Sequence, residues 1–241
     1  MKRLLAFVLL IATLALAMVG CNNGKQDDNT PKVDPNAKSE GTMTYEQYAA
    51  AELDAAVVIE GFVQAKQSWW DNKATIYLQD GNGAYFVYNM TCTEEQYNQL
   101  VKGTKIKVTG FKTQYHGEIE VDEGATFEII PGDTWVAPVT DVTALLGTDD
   151  LIKKQNMFVC FKGMTVKAIT FKGGEPGDDI YVTLTYNGAD YDFCVERYLT
   201  APDTAVYQAV SALTAGQVID VEGFLYWYDG PNTHITAITV K

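Results

Sequence analysis

The stretch Leu100-Val-Lys-Gly103-Thr-Lys-Ile106-Lys-Val108-Thr-Gly110-Phe111 returns at residues 213–224 as Leu-Thr-Ala-Gly-Gln-Val-Ile-Asp-Val-Glu-Gly-Phe. Leu, Gly, Ile, Val, Gly and Phe hold the same positions in both segments. A second pair lies upstream, where Val-Val-Ile-Glu-Gly-Phe at 57–62 aligns with Val-Cys-Phe-Lys-Gly-Met at 159–164. Because self-similarity at a fixed spacing marks a repeated structural unit, the chain is predicted to contain one module twice.

Between these anchors each copy reads as two strands followed by a short helix. The strands are rich in β-branched and aromatic residues and are predicted at 74–79, 84–90, 180–186 and 191–196. Asp80-Gly-Asn-Gly83 and Asn187-Gly-Ala-Asp190 separate the strands of each pair, and such residues are typical of hairpin turns. The helices are predicted at 93–100 and 203–213.

Further elements flank this unit in each copy. The last two strands are predicted at 105–114 and 118–121 in the first copy and at 218–228 and 234–240 in the second. Thr44 and Gln47 form a capping-box pattern before a short helix at 49–53, and Thr148-Asp-Asp150 opens another at 151–154. The segments at 57–62 and 159–164 supply the first strand of each copy. The predicted order is therefore helix, three strands, helix and two strands, repeated once.

This order resembles the OB-fold, a five-stranded Greek-key barrel with its helix between the third and fourth strands. Gly61, Gly110, Gly163 and Gly223 fall in mid-strand, where a side chain would obstruct coiling of the barrel. From Thr44 onward the chain is also similar to tandem OB lipoproteins of anaerobic Gram-positive bacteria, a resemblance that implies the fold but no activity. We therefore expect a mostly β protein with two tandem OB-like barrels at 44–135 and 148–241, joined by a linker at 136–147.

The N-terminus has the pattern of a secretory signal. Lys2 and Arg3 precede an almost uninterrupted apolar stretch at 4–19, and Gly20 stands before Cys21. Leu16-Ala-Met-Val-Gly-Cys21 resembles a bacterial lipobox, which implies cleavage of the signal peptide 1–20, lipid on Cys21 and anchoring to the outer side of the cell membrane. The alternatives are an ordinary signal peptide with a chance cysteine and an uncleaved anchor helix. Residues 21–43 are polar enough to predict a disordered tether.

Charge and cysteine usage restrict the partners. The chain has a formal charge of −13, which becomes −15 when Lys2 and Arg3 leave with the signal peptide. Arg197 is then the only arginine that remains. Such a chain repels phosphate backbones and anionic lipids, so nucleic acid is disfavoured as a partner. Cys92, Cys160 and Cys194 form an odd set without CxxC or Cys/His spacing, so we expect buried cysteines, no metal and no cofactor.

The candidate ligand-binding residues are aromatic. OB barrels usually bind on their second and third strands, between the loop that joins strands one and two and the loop that joins strands four and five. The aromatic residues predicted at these places are Trp69, Trp70, Tyr85, Tyr88, Tyr115, Tyr226, Trp227 and Tyr228. Aromatic rings beside polar side chains suit the stacking of sugars, although single aromatic residues are also common in barrel cores and rims. Trp69 and Trp70 are adjacent in an extended segment, so their side chains are expected to point in opposite directions.

The sequence contains no catalytic set. Ser39, Ser68 and Ser211 lack a nucleophile-elbow pattern to combine with His116 or His234. We therefore expect a non-enzymatic, lipid-anchored extracellular binding module that recognises a glycan or a protein through the aromatic residues. The alternatives are a single-stranded nucleic-acid-binding protein, by analogy with the fold, and a structural accessory subunit of an envelope complex. The oligomeric state stays open.

Overall fold

The computed structural model describes residues 33–122 and 124–241, apart from the side chain of Asp133. The predicted signal peptide, Cys21 and the first part of the predicted tether lie outside these residues.

The α-helices are α1 (Tyr45–Ala50), α2 (Glu94–Gln99) and α3 (Ala205–Ser211). The strands are β1 (Ala56–Lys66), β2 (Lys73–Gln79), β3 (Ala84–Thr91), β4 (Thr104–Tyr115), β5 (Glu118–Val121), β6 (Thr126–Thr134), β7 (Thr140–Asp141), β8 (Phe158–Phe171), β9 (Ile180–Tyr186), β10 (Ala189–Val195), β11 (Val218–Phe224) and β12 (Asn232–Val240). Short 3₁₀ helices cover Thr143–Leu145, Leu151–Lys154 and Lys172–Gly174. None of the helices within 33–122 and 124–241 has the length and apolar character that a membrane span needs.

The first barrel has the strand order of an OB-fold. Its strands run β1-β2-β3-β5-β4, and β1 closes the barrel by pairing with β4 from Ala56 opposite Phe111 to Phe62 opposite Lys105. The pair β3–β5 is parallel and α2 lies between β3 and β4 in the chain. β6 extends the sheet by pairing with β4. The sequence did not predict β6.

The second barrel repeats this topology. Its strands run β8-β9-β10-β12-β11, β8 pairs with β11 to close the barrel, and the pair β10–β12 is parallel. The two predicted OB-like barrels are therefore confirmed. The boundaries of the second barrel need correction, because β7 pairs with β8 and Val142 lies in the second core, so most of the predicted linker belongs to this barrel. The strand predicted at 218–228 also ends earlier, at Phe224.

Close packing explains two of the mid-strand glycines. A β-carbon on Gly110 would lie 2.6 Å from Cγ1 of Val121, and one on Gly223 would lie 2.2 Å from the carbonyl oxygen of His234. Both positions therefore need glycine to let neighbouring segments approach. Gly163 differs from the prediction, since nothing lies near its missing side chain and its φ is +66°. Its backbone conformation, rather than lack of space, favours glycine there.

Residues 33–43 lie on the first barrel and are not part of a disordered tether. Lys38 Nζ contacts Asp80 Oδ2 at 2.6 Å and donates to the carbonyl of Glu60 at 2.5 Å. The backbone N–H of Ser39 donates to the Glu60 carboxylate at 3.1 Å. The predicted tether is therefore too long at its C-terminal end. A polar composition disfavours a buried core but does not exclude binding to buried carboxylates such as Glu60 and Asp80.

Candidate functional site

The two barrels meet through an aromatic cluster. Tyr77 of β2 stacks on Phe224 of β11 with ring centroids 4.4 Å apart, and its hydroxyl lies 2.8 Å from Nδ1 of His234. Phe86 of β3 packs against Tyr77 and against Tyr226 of the second barrel. The β2–β3 surface, where an isolated OB barrel binds its ligand, is therefore partly covered by the neighbouring barrel.

A polar seam continues the contact between the barrels. Glu118 of β5 is fully buried and accepts hydrogen bonds from Asn156 Nδ2 at 2.6 Å and from the backbone N–H of Trp227 at 2.8 Å. Desolvation outweighs these two donors and raises the pKa of Glu118 to about 8. Gln155 Nε2 donates to the carbonyl of Gly117 at 2.9 Å. The barrels therefore form a specific, hydrogen-bonded interface rather than a loose contact.

A cleft of about 910 Å³ opens beside this interface. Both barrels contribute aromatic walls, from Phe86, Tyr88, Tyr115, Tyr181, Tyr198, Tyr226 and Tyr228. We call this space the tyrosine cleft. The loops after β4 and β11 meet at its rim. There the ring of His116 stacks on the ring of Tyr228, with centroids 4.3 Å apart. Tyr115 packs edge-on against the ring of Tyr228, with centroids 6.0 Å apart. Its size is within the range of pockets that bind small molecules.

The tyrosine cleft is lined by acidic groups. Its carboxylates are Glu120, Asp122, Asp179 and Glu196. Lys172 is the one lysine or arginine among the described residues that line the cleft, and its Nζ lies 2.9 Å from Asp179 Oδ2. Burial lowers the pKa of His234 to about 4, so its ring is neutral at pH 7. The cleft therefore favours neutral or cationic groups over phosphates.

Two of these carboxyl groups have pKa values well above the ordinary value of 4.5. Burial, together with the charge of Asp122, raises the pKa of Glu120 to about 7. Burial also raises the pKa of Glu196 to about 6, against the opposing hydrogen bonds that it accepts from the backbone N–H groups of Tyr198 and Leu199. Both groups change charge near neutral pH, so the electrostatic potential of the cleft depends on pH.

Four of the eight candidate aromatic residues come together in this cleft. They are Tyr88, Tyr115, Tyr226 and Tyr228. The prediction of Tyr85 as a ligand-binding residue is wrong, because its side chain is 0% exposed in the first core and its hydroxyl donates to Asp80 at 2.8 Å. Trp227 packs against the second core and does not line the cleft. The strand pattern identified aromatic positions without showing which face of the strand they occupy.

Trp69 and Trp70 lie outside the tyrosine cleft. The indole N–H of Trp69 donates to the carbonyl of Cys92 at 2.8 Å, which holds the half-buried ring against the first barrel. Trp70 is 68% exposed. The prediction that the two side chains differ in direction agrees with these environments, but neither residue lines the cleft.

The structure adds site residues that sequence reasoning missed. Glu120, Tyr181, Tyr198 and Glu196 line the cleft but were not among the candidates. The segment Glu118-Ile-Glu-Val121 alternates polar and apolar residues, a pattern that normally indicates a strand with one face in water. That face instead lies at the contact between the barrels, with Glu118 bonded to the second barrel and Glu120 on the cleft, which the pattern of one strand cannot reveal.

The cysteines are buried, as predicted. Within residues 33–122 and 124–241, Cys92, Cys160 and Cys194 form no disulfide. Burial raises the pKa of Cys92 to about 11 and so disfavours its reactive thiolate. The same ranges contain no group of three or more His, Cys, Asp or Glu side chains placed to hold a metal ion.

Comparison with known proteins gives distant likenesses. Neither a protein-family model nor a curated protein matches this chain. Among solved structures, a murine DNA-binding protein bound to double-stranded DNA is 10% identical over 76% of this chain and 94% of its own, with a TM-score of 0.37. The Ifi202 HINa domain in complex with 20-bp double-stranded DNA is 11% identical over 78% of this chain and 98% of its own, with a TM-score of 0.35. The Stn1–Ten1 complex of S. pombe is 17% identical over 32% of this chain and 59% of its own, with a TM-score of 0.28.

Proposed function

We propose that this chain is a non-enzymatic binding protein whose tyrosine cleft takes a neutral or cationic ligand, such as a glycan or a segment of a protein. The observation that carries the proposal is the convergence of Tyr88, Tyr115, Tyr226 and Tyr228 from two barrels in one acidic cleft. Phenol rings stack on sugar rings and on cations, and carboxylates accept hydrogen bonds from hydroxyl and ammonium groups. A cleft at a domain interface is also a common place for a ligand.

A glycan array tests the proposal, with residues 21–241 carrying Cys21→Ser to keep the protein in solution. Tyr115→Ala and Tyr228→Ala remove exposed rings from the cleft, whereas Trp70→Ala removes an exposed ring outside it. We expect binding that both tyrosine variants weaken and that Trp70→Ala leaves unchanged. Binding that is insensitive to both tyrosine variants would place the site elsewhere.

Single-stranded nucleic acid is the second candidate. OB barrels commonly bind oligonucleotides, and DNA is the ligand named for two of the structures compared above. Here, by contrast, the described residues that line the cleft include four carboxylates and one lysine. Titration of a fluorescent thymidine oligonucleotide at low and high salt separates the candidates. We expect no binding, and an affinity that falls steeply with salt would favour the nucleic-acid alternative.

We also propose that Cys21 carries lipid and anchors the barrels on the outer side of the cell membrane. The support is the lipobox-like pattern that ends at Cys21. Metabolic labelling with a fatty acid tests this proposal. Labelled wild-type chain in the membrane fraction is expected, with loss of label in Cys21→Ser. Equal labelling of both chains would contradict the assignment of Cys21.

A further inference from the structure

We propose that the ligand of the tyrosine cleft carries an ammonium group, which binds to the carboxylate of Glu120. This inference rests on the proposed function, in that the cleft binds a ligand, and it specifies the chemistry of that ligand as an organic cation. The observation behind it is a deeply placed carboxylate that faces an open space and has no partner in the described part of the chain.

Glu120 is buried but unpaired. Its exposure is 6%, and within residues 33–122 and 124–241 its carboxylate makes no hydrogen bond and no ion pair. It lines the cleft from β5, where Phe86 and Thr113 are its neighbours on the adjacent strands. Glu60, another buried carboxylate, has bonds to Ser39 and an ion pair with Lys105 at 3.3 Å. A buried carboxylate normally has such partners, so Glu120 is placed for one supplied from outside.

Aromatic rings form the walls around Glu120. Phe86 and Tyr226 meet edge to face at 5.3 Å, and Tyr88 lies beside Phe86 with ring centroids 6.5 Å apart. All three rings line the cleft together with Tyr115. The faces of such rings attract cations, and the attraction increases where water is excluded. A carboxylate among aromatic rings therefore fits an alkyl ammonium group better than a neutral hydroxyl.

Among the described residues that line this cleft, no basic side chain is free to neutralise Glu120. Among the described residues that line it, the one lysine is Lys172, which pairs with Asp179 at 2.9 Å and lies 3.7 Å from Asp178. The neutral ring of His234 stacks on Tyr226 and bonds to Tyr77. No described side chain of the cleft therefore supplies a cation to Glu120, and we assign that role to the ligand.

Titration of Glu120 provides a specific readout. At pH 6.5 part of the Glu120 population is protonated, so a bound ammonium group should displace a proton. The titratable groups around this position are Glu118 on its own strand and Asp122 directly after it, Tyr88 and Tyr115 on β3 and β4, and Tyr226 from the second barrel. Because these include two further carboxyl groups, the source of the proton must be assigned with a Glu120 variant.

Isothermal titration calorimetry with two probes of equal length tests the inference. The protein is residues 21–241 with Cys21→Ser, and the probes are 1,5-diaminopentane and the neutral 1,5-pentanediol. We expect the diamine to bind and the diol not to bind. Glu120→Gln should lower the association constant for the diamine at least about tenfold, since it removes a charge-assisted hydrogen bond. Glu94→Gln makes the same charge change at an exposed position outside the cleft and should have no effect.

Titrations in two buffers of different ionisation enthalpy give a second readout, the number of protons released on binding. We expect proton release by wild-type protein at pH 6.5, little release at pH 8.5, and loss of the release in Glu120→Gln. Equal binding of diamine and diol, no binding of the diamine, or unchanged binding by Glu120→Gln would each overturn the inference. If the diamine fails while a glycan binds with sensitivity to Tyr115→Ala, the proposed function stands without the cation. If neither class of ligand binds the cleft, both proposals fail.

Discussion

The hydroxyl of Tyr77 and Nδ1 of His234 lie 2.8 Å apart and join the first barrel to the second through one buried hydrogen bond. Both side chains are buried, and the Tyr77 ring stacks on Phe224 beside this bond. Because Tyr77 belongs to β2 and His234 to β12, the bond connects the binding face of the first barrel to the last strand of the second. The position of one barrel relative to the other, and with it the shape of the tyrosine cleft, depends on such contacts.

Tyr77→Phe should destabilise the protein by about 1–3 kcal/mol, because it leaves Nδ1 of His234 buried without its partner. Urea unfolding measures the loss. Tyr198→Phe is the matched control, since that hydroxyl is on an exposed residue and its removal should change stability by less than about 0.5 kcal/mol. Equal effects of the two substitutions would argue against a structural role for the Tyr77–His234 bond.

Stability should fall as pH rises from about 5 to 8.5. The folded-state pKa of Glu118, about 8, lies above its ordinary value of 4.5, so the folded protein binds the proton more tightly than the unfolded chain. This stabilisation is complete below pH 4.5 and is lost as pH passes through 8. Glu120 and Glu196 add to the same trend, because their pKa values are also raised. His234 opposes the trend below about pH 6.5, because its pKa is lowered to about 4, but one imidazole is outweighed by three carboxyl groups.

Glu118→Gln should make the urea midpoint less dependent on pH over this range, because it removes the group with the highest of these three carboxyl pKa values. Midpoints measured at pH 5, 7 and 8.5 give the comparison. Glu46→Gln, an exposed change of the same kind on α1, should keep the wild-type dependence. A wild-type protein more stable at pH 8.5 than at pH 5 would contradict the prediction.

Gly223→Ala should destabilise the second barrel strongly, by about 1–3 kcal/mol or more. The new β-carbon would overlap the backbone carbonyl of His234, which cannot move without disturbing the pairing of β11 with β12. Gly61→Ala in the first barrel meets Cβ of Leu78 at 3.1 Å, so its cost should be smaller. Thermal unfolding of both variants ranks them, and a smaller loss for Gly223→Ala would show that the strand adapts more easily than its geometry indicates.

Lys38→Ala should release residues 33–43 from the first barrel and lower stability by more than about 1 kcal/mol, since it breaks a buried ion pair with Asp80. Hydrogen exchange should accelerate at Ser39 and Thr42, whose side chains also contact Glu60. Lys153→Ala breaks the exposed pair with Asp150 and should leave the stability almost unchanged. Slow exchange in Lys38→Ala would mean that other contacts hold this segment.

The fold could be predicted because its signals are local or repeated. Turn residues, capping residues and the spacing of the repeated segments identify the two barrels, and Thr44 and Thr93 cap α1 and α2 with capping boxes in the structure. β6 was missed because Pro131 and Gly132 interrupt its sequence. That strand forms by pairing with β4, which is a tertiary effect.

The site could be predicted only in part, because the two barrels meet on surfaces that the sequence does not distinguish. The repeat aligns Phe111 with Phe224, yet Phe111 is 60% exposed whereas Phe224 is buried between the barrels. In the same way, Tyr85 and Tyr88 both read as aromatic strand residues, but Tyr85 faces the core and Tyr88 the cleft. Which face of a repeated module is buried depends on its partner and not on its own pattern.

Chemical-shift mapping by NMR tests the central claim, that ligands bind in the tyrosine cleft, most directly. Titration of residues 21–241 carrying Cys21→Ser with 1,5-diaminopentane should shift resonances of Tyr88, Tyr115, Tyr226 and Tyr228 together, with one affinity, and leave Trp70 unchanged. Saturable shifts centred on Trp70, or on any surface outside the cleft, would contradict the account.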